Sequence, residues 1–299
     1  MSSSLVQHLK SSARCSLLVT LVLLTSGCAS FNRIAEYPTP AQPATVAVVS
    51  KPMSKMTELP LGVYYDEPRQ IIVTGHQKGL FAGMMFGLVG VMVADQMNKS
   101  SGSAKYADDS AQSGTDLGTL TRELLATTLG SGQAPHWSLA TQNAGVRLTP
   151  YAVFTVEKSG GSRLYAMLRA EIIGPDGSPT WSARYFARAP GIHPLDGENT
   201  WMKETRFHDG MRAALARAIA VCVDDTHGRL TGKNHLLAKG YYPYLNIELE
   251  LPAIVVQETP EYLVARLAIG DAMVLAGTHV LDRADYTVKP GTFKDPRNR

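Results

Sequence analysis

Leu164-Tyr165-Ala166-Met167-Leu168-Arg169-Ala170-Glu171-Ile172 is the stretch that decides the fold class. Leu164, Ala166, Leu168, Ala170 and Ile172 fall on one side, with Tyr165, Arg169 and Glu171 on the other. A period of two is that of a half-buried strand. Just before it, Ala152, Phe154 and Val156 alternate in the same way, and Ser159-Gly160-Gly161-Ser162 supplies a turn. Just after it, Pro175-Asp176-Gly177 turns the chain into a run in which Trp181, Ala183, Tyr185 and Ala187 alternate. Residues 148–189 therefore predict an antiparallel meander with one apolar face, and such a face needs a cover.

Two helical stripes on either side can supply it. Leu117, Leu120, Leu124, Leu125 and Leu129 recur at helical spacing between Thr115-Asp116, a start signal, and Gly130, a stop. Met211, Leu215, Ile219 and Cys222 do the same within 209–225, with Arg212 and Arg217 on the outer face. The expected fold class is α+β: an antiparallel β-meander covered by two amphipathic helices, followed by a small all-β extension. That extension is read at 241–292, where Leu245, Ile247, Leu249 and Leu251 alternate with Asn246, Glu248 and Glu250. Shorter strands are expected at 45–49, 62–65 and 70–74, a flexible polar loop at 98–114 and a polar tail at 293–299. The α+β unit is expected to run from 44 to 235.

Between the early strands and the first helix, Gly75, Gly79, Gly83 and Gly87 recur every fourth residue. Leu80, Phe81, Met84, Met85, Phe86, Leu88 and Val89 fill the gaps. Residues four apart share one helical face, so these glycines would form a groove that lets another helix approach closely. Glycine costs an isolated helix about 1 kcal/mol per residue, so the pattern is useful only if something packs there. The stretch at 75–90 resembles the glycine-zipper segments of several outer-membrane lipoproteins. At 1.5 Å per residue its uncharged run reaches about 24 Å, less than the roughly 30 Å hydrocarbon core of a bilayer. Helix packing or self-association through Gly75, Gly79, Gly83 and Gly87 is the expected role; burial in the core of the folded unit, as a helix or glycine-rich loop, and membrane contact are the alternatives.

The amino terminus carries the most specific signal. Lys10 and Arg14 precede an apolar run from Ser16 to Leu24, which ends Leu24-Thr25-Ser26-Gly27-Cys28. A basic start, a short apolar core and a small-residue exit describe a secretory signal, here residues 1–27. The exit resembles a bacterial lipobox, with Thr25 standing where Leu is usual. The resemblance implies cleavage before Cys28, a diacylglyceryl group on its sulfur and palmitate on the new amino terminus. Ala29 stands where Asp would mark inner-membrane retention, which implies sorting to the outer membrane, facing the periplasm. Each buried methylene of such an anchor contributes about 0.8 kcal/mol, so several chains hold it in place. Residues 28–43, with Pro38, Pro40 and Pro43, then read as a proline-rich tether.

Composition removes several function classes. The chain has 29 Lys+Arg against 26 Asp+Glu, and residues 1–27 contain Lys10 and Arg14 but no acid, leaving 27 against 26. That near-neutrality speaks against nucleic acid as a partner, and no polybasic membrane-binding run occurs. Of three cysteines, Cys15 leaves with the signal and Cys28 is lipidated. Cys222 then stands alone, so no disulfide within the mature chain is expected. Seven histidines lie beyond residue 27, none in a zinc-ligand pairing with cysteine, and no metal or cofactor is expected. No strand–turn–helix nucleophile elbow, phosphate-cradling loop or dinucleotide fingerprint is present. His208-Asp209 reads as a helix entry and Asp224-Asp225-Thr226-His227 as a helix end running into polar residues. Tyr241, Tyr242 and Tyr244 around Pro243 read as packing at a domain junction, with a sugar-binding platform as the sharper reading.

A helix ending at Gly130, a hydrophobic meander and a long second helix together resemble, at the level of pattern, two known domains. These are the sheet-and-helix domain of curli-secretion lipoproteins and the amino-terminal domain of TolB. No residue motif carries the resemblance, so it assigns no functional position. The expected function is that of a lipid-anchored, non-enzymatic component of an outer-membrane or periplasmic assembly, with a protein partner or a second copy. The alternative is a periplasmic enzyme or ligand-binding lipoprotein whose site is assembled from distant residues such as His193, His208, His227 and Asp225.

Overall fold

The meander lies in the middle of the molecule, built from β5 (Val146–Val156), β6 (Ser162–Ile173) and β7 (Pro179–Arg188). The computed structural model describes residues 43–53, 58–60, 63–75, 114–141, 144–195, 197, 199–203, 205–269 and 274–293. β5 and β6 pair antiparallel from Val146↔Ile172 to Val156↔Ser162, and β6 pairs with β7 from Tyr165↔Arg188 to Ile173↔Pro179.

The strands before the meander join its free edge in parallel. β1 (Ala44–Val48) pairs with the start of β5, and β3 (Ile71–Thr74) with its end. β2 (Tyr64–Asp66) adds to β3, and β4 (Trp137–Leu139) to β1. The break between β1 and β3 explains a proline inside a central strand. Val49 N donates to Leu148 O at 2.9 Å, and Ala152 N donates to Gln70 O at 3.0 Å. Residue 150, two steps from each, directs its backbone the same way, into the gap where neither neighbour runs. Pro150 therefore forfeits no ladder hydrogen bond.

The carboxyl-terminal strands overturn the expected fold class. The chain is not a helix-covered α+β meander; among the described residues it is mainly β, with twelve strands in one mixed sheet. β8 (Asn234–Tyr241), β9 (Glu248–Glu258), β10 (Tyr262–Leu267), β11 (Thr278–Asp282) and β12 (Thr287–Pro290) continue the meander's own sheet. The junction is a parallel pairing of β11 with β7, Thr278↔Tyr185 through Val280↔Ala187. Alternation along a sequence reveals that a strand exists, but its partner across some ninety residues is chosen by packing. That choice is where the expectation failed.

Among the described residues two helices accompany the sheet, α1 (Leu117–Gly130) and α2 (Arg206–Thr226). Asp116 caps α1 by accepting from Thr119 N. α2 packs on β6 and β7, with Met211, Leu215, Ile219 and Cys222 in one buried cluster with Phe154, Leu164 and Leu168. Each such fully buried large side chain contributes about 1.5–3 kcal/mol. Gly210 permits the close approach, because a Cβ there would lie 2.8 Å from the Trp201 ring.

A second core occupies the opposite face. Tyr151, Tyr165, Met167 and Phe186 of the meander meet Ala253, Val255, Leu263 and Ala265 of β9 and β10. Strands several places apart in sheet order can share a core only if the sheet coils back on itself, as twisted sheets of many strands do. The face bearing Tyr165, Arg169 and Glu171 is therefore buried too: Arg169 and Glu171 are 3% and 4% exposed. Glu58 pairs with Arg169 at 2.6 Å and Lys51 with Glu171 at 2.6 Å, so the segment after β1 closes over this face by charge.

Candidate functional site

The densest gathering of titratable groups lies at the carboxyl end of α2. The buried stripe Met211, Leu215, Ile219, Cys222 advances three more residues to Asp225, so helical geometry drives a carboxylate into the core. Asp225 is 5% exposed and survives there because two groups meet it. Tyr185 of β7 donates to Oδ2 at 2.9 Å, and Arg266 of β10, itself 7% exposed, donates to Oδ1. A buried carboxylate that is both ion-paired and hydrogen-bonded escapes the large cost of an isolated charge. Burial, reinforced by Cys222 and Asp225, holds the Tyr185 hydroxyl well above its usual range. Burial, and then Asp225, does the same to the Cys222 thiol. The thiolate that a nucleophile requires is thus strongly disfavoured.

Two residues further on, the helix end makes an aromatic contact with the chain leading into β4. His227 Nδ1 donates to Val223 O at 2.8 Å, which leaves Nε2 as the lone-pair nitrogen. The His227 ring lies 5.6 Å from the His136 ring at 14°, and 5.8 Å from the Trp137 ring at 58°. Burial lowers the His227 pKa; the Val223 carbonyl opposes this, and Arg229 and His136 add to it. Arg229 bonds both Asp224 Oδ1 at 2.7 Å and Gln133 O at 2.9 Å.

The remaining residues singled out in the sequence are dispersed. His193 meets Trp201 edge-on at 4.7 Å, and exposed His208 contacts Asp209 at 3.1 Å. His235 stacks on Phe293 at 4.6 Å. His279 is buried against Phe186 and donates from Nε2 to Leu275 O at 2.8 Å. Glu248 and Glu250 pair with Lys239 and Lys289 on the surface, each at 2.8 Å. Tyr242 and Tyr244 are buried and Arg163 covers the Tyr241 ring at 3.8 Å, which leaves no open platform on these three tyrosines. Gly75 closes β3 with φ +85°, and its carbonyl accepts from Asn246 Nδ2. Cys28, His76, Gly79, Gly83 and Gly87 lie outside the described residues.

A cleft of about 400 Å³ lies elsewhere, at the start of α1, lined by Val48, Ser50, Arg69, Gln70, Asp116 and Arg122 among others. Shape and titratable chemistry therefore occupy different places: the cleft gathers no histidine, and the Asp225 cluster is packed solid. Among the described residues, no group of three or more His, Cys, Asp or Glu is arranged to hold a metal ion. Among them also, no helix is long and apolar enough to cross a membrane.

In the sequence Asp225 reads as part of a helix end running into polar residues, and no motif marks Arg266. Two signals pointed inward. Asp225 continues the apolar stripe three residues past Cys222, and Arg266 interrupts an otherwise apolar strand, Leu263-Val264-Ala265-Arg266-Leu267.

No protein-family model matches the chain, and no curated protein matches it. Among solved structures it is similar to the dodecamer of a PelC point variant from Paraburkholderia phytofirmans. The identity is 18% and the TM-score 0.21, over 38% of this chain and 75% of that one. At that score the likeness says nothing of this chain's fold or assembly.

Proposed function

We propose that this chain is a lipid-anchored outer-membrane protein facing the periplasm. In this reading it is a non-enzymatic structural or accessory part of an envelope assembly, meeting a protein partner or a second copy through the glycine-rich stretch at 75–90. The observation that carries the reading is Leu24-Thr25-Ser26-Gly27-Cys28 at the end of a short apolar run. What supports its non-enzymatic part is how the reactive side chains are spent. Asp225 is committed to Tyr185 and Arg266, and Cys222 is a protonated core thiol.

Growth on labelled palmitate tests the anchor. Label is expected on the wild-type chain and absent from Cys28→Ala, which leaves the membrane fraction; retained label on the variant overturns the reading. The ligand-binding alternative draws on the cleft at the start of α1, which assembles three segments far apart in sequence. Proximity crosslinking in intact cells separates the two: a crosslinked partner or self-contact favours assembly, and recovery of the chain alone favours the alternative.

A further inference from the structure

The contact between the end of α2 and the chain at β4 centres on the His227 ring. Among the described residues β4 is an edge strand of three residues whose ladder runs to β1 alone, Ala44↔Trp137 through Val46↔Leu139. Ala134 and Trp137 also pack into the core beside α1, and the end of α2 adds the His136–His227 stack, the Trp137–His227 contact and the bond from Arg229 to Gln133 O. His227 spends Nδ1–H on Val223 O, and its Nε2 is buried with no hydrogen-bond partner among the described residues. A proton added to Nε2 would be a buried donor facing no acceptor. The charged and titratable groups around that ring are Arg229 and His136, both opposing a second cation, and Asp224, whose carboxylate is engaged by Arg229.

We infer that the His136–His227 contact is an acid-released latch, which holds the segment 131–139 against helix α2 while His227 is neutral and lets it go when His227 is protonated. The direction follows from burial of the ring, which lowers its pKa below the ordinary 6.5. The folded contact excludes a proton that the opened segment takes up, so the contact is strongest above 6.5 and weakens as pH falls below it. The change is local because β4 lies at the edge of the sheet, away from the paired strands of the meander.

Amide hydrogen exchange on the full chain, corrected for the intrinsic effect of pH, tests this between about pH 7.5 and 5. In a His279→Phe background, which removes the buried ring that makes global stability acid-sensitive, protection of 131–139 is expected to fall by up to about tenfold per pH unit below about 6.5, while β6 keeps its protection. His227→Gln, which cannot take the proton, is expected to abolish the response, and His136→Gln to reduce it. Equal loss in β6 and in 131–139 would overturn the latch, since the event would then be global unfolding. So would an undiminished acid response in His227→Gln, or a flat profile in the wild type.

Discussion

Tyr185 Oη lies 2.9 Å from Asp225 Oδ2 and donates to it, so the central strand β7 is tied to the last turn of α2 at a buried point. Arg266 brings β10 to the same carboxylate. One buried residue thus joins the meander, the long helix and the carboxyl-terminal strands. Desolvating the two charges offsets much of their attraction, so the junction adds little net stability beyond what its removal from one side would cost.

Asp225→Ala should therefore cost about 3–5 kcal/mol, because it leaves the Arg266 guanidinium buried without its carboxylate. The double variant Asp225→Leu with Arg266→Met should cost clearly less than the single one, since it removes both charges. Urea unfolding of the three proteins checks the order. A double variant as unstable as Asp225→Ala would mean that the pair is worth more than its desolvation.

What could be read from the sequence follows from how far each interaction reaches. The alternation at Leu164–Ile172 and the helical stripe at Met211–Cys222 are local, and the corresponding strand and helix are present. The burial of Arg169 and Glu171 was not legible, because their partners Glu58 and Lys51 sit more than one hundred residues earlier. The same holds for the parallel pairing of β11 with β7, which joins the carboxyl-terminal strands to the meander in one sheet. Asp225 was legible in principle: its spacing from Cys222 outweighs its charge once Tyr185 and Arg266 are within reach.

Gly75 and Gly83 should respond differently to substitution. A Cβ at Gly75 would collide with the Val156 backbone, and its φ of +85° is unfavourable for other residues. Gly75→Ala should thus destabilise the fold by about 1–3 kcal/mol whatever the protein associates with. Gly83→Leu probes the proposed self-association instead. Sedimentation of the folded Gly83→Leu protein should show a smaller assembly than the wild type, and an unchanged one would argue against the glycine groove.

His279 should make global stability fall in acid. Burial lowers its pKa to about 4 from the ordinary 6.5, so the folded protein holds the ring neutral while the unfolded chain protonates it below 6.5. The contribution is fully present above 6.5 and is lost as pH falls toward 4, amounting to about 2 kcal/mol at about pH 5. Unfolding of the wild type and of His279→Phe at about pH 7 and pH 5 isolates it. The wild type should lose about 2 kcal/mol more than the variant over that interval, and parallel losses would place the pH dependence elsewhere.

Cys222 offers a count that joins fold to anchor. Its side chain is fully buried on α2, and burial holds its thiol well above the usual range, so a disulfide reagent should reach it only through opening of the core. The native protein should react about a thousandfold or more slowly than the denatured one. If Cys15 departs with the signal and Cys28 carries lipid, the mature chain keeps a single free thiol. Thiol titration of protein extracted from membranes should then give no fast-reacting group in buffer and one per chain in denaturant. Two per chain in denaturant would mean that Cys28 is unmodified. One fast group in buffer, abolished by Cys222→Ala, would mean that the end of α2 is open to solvent.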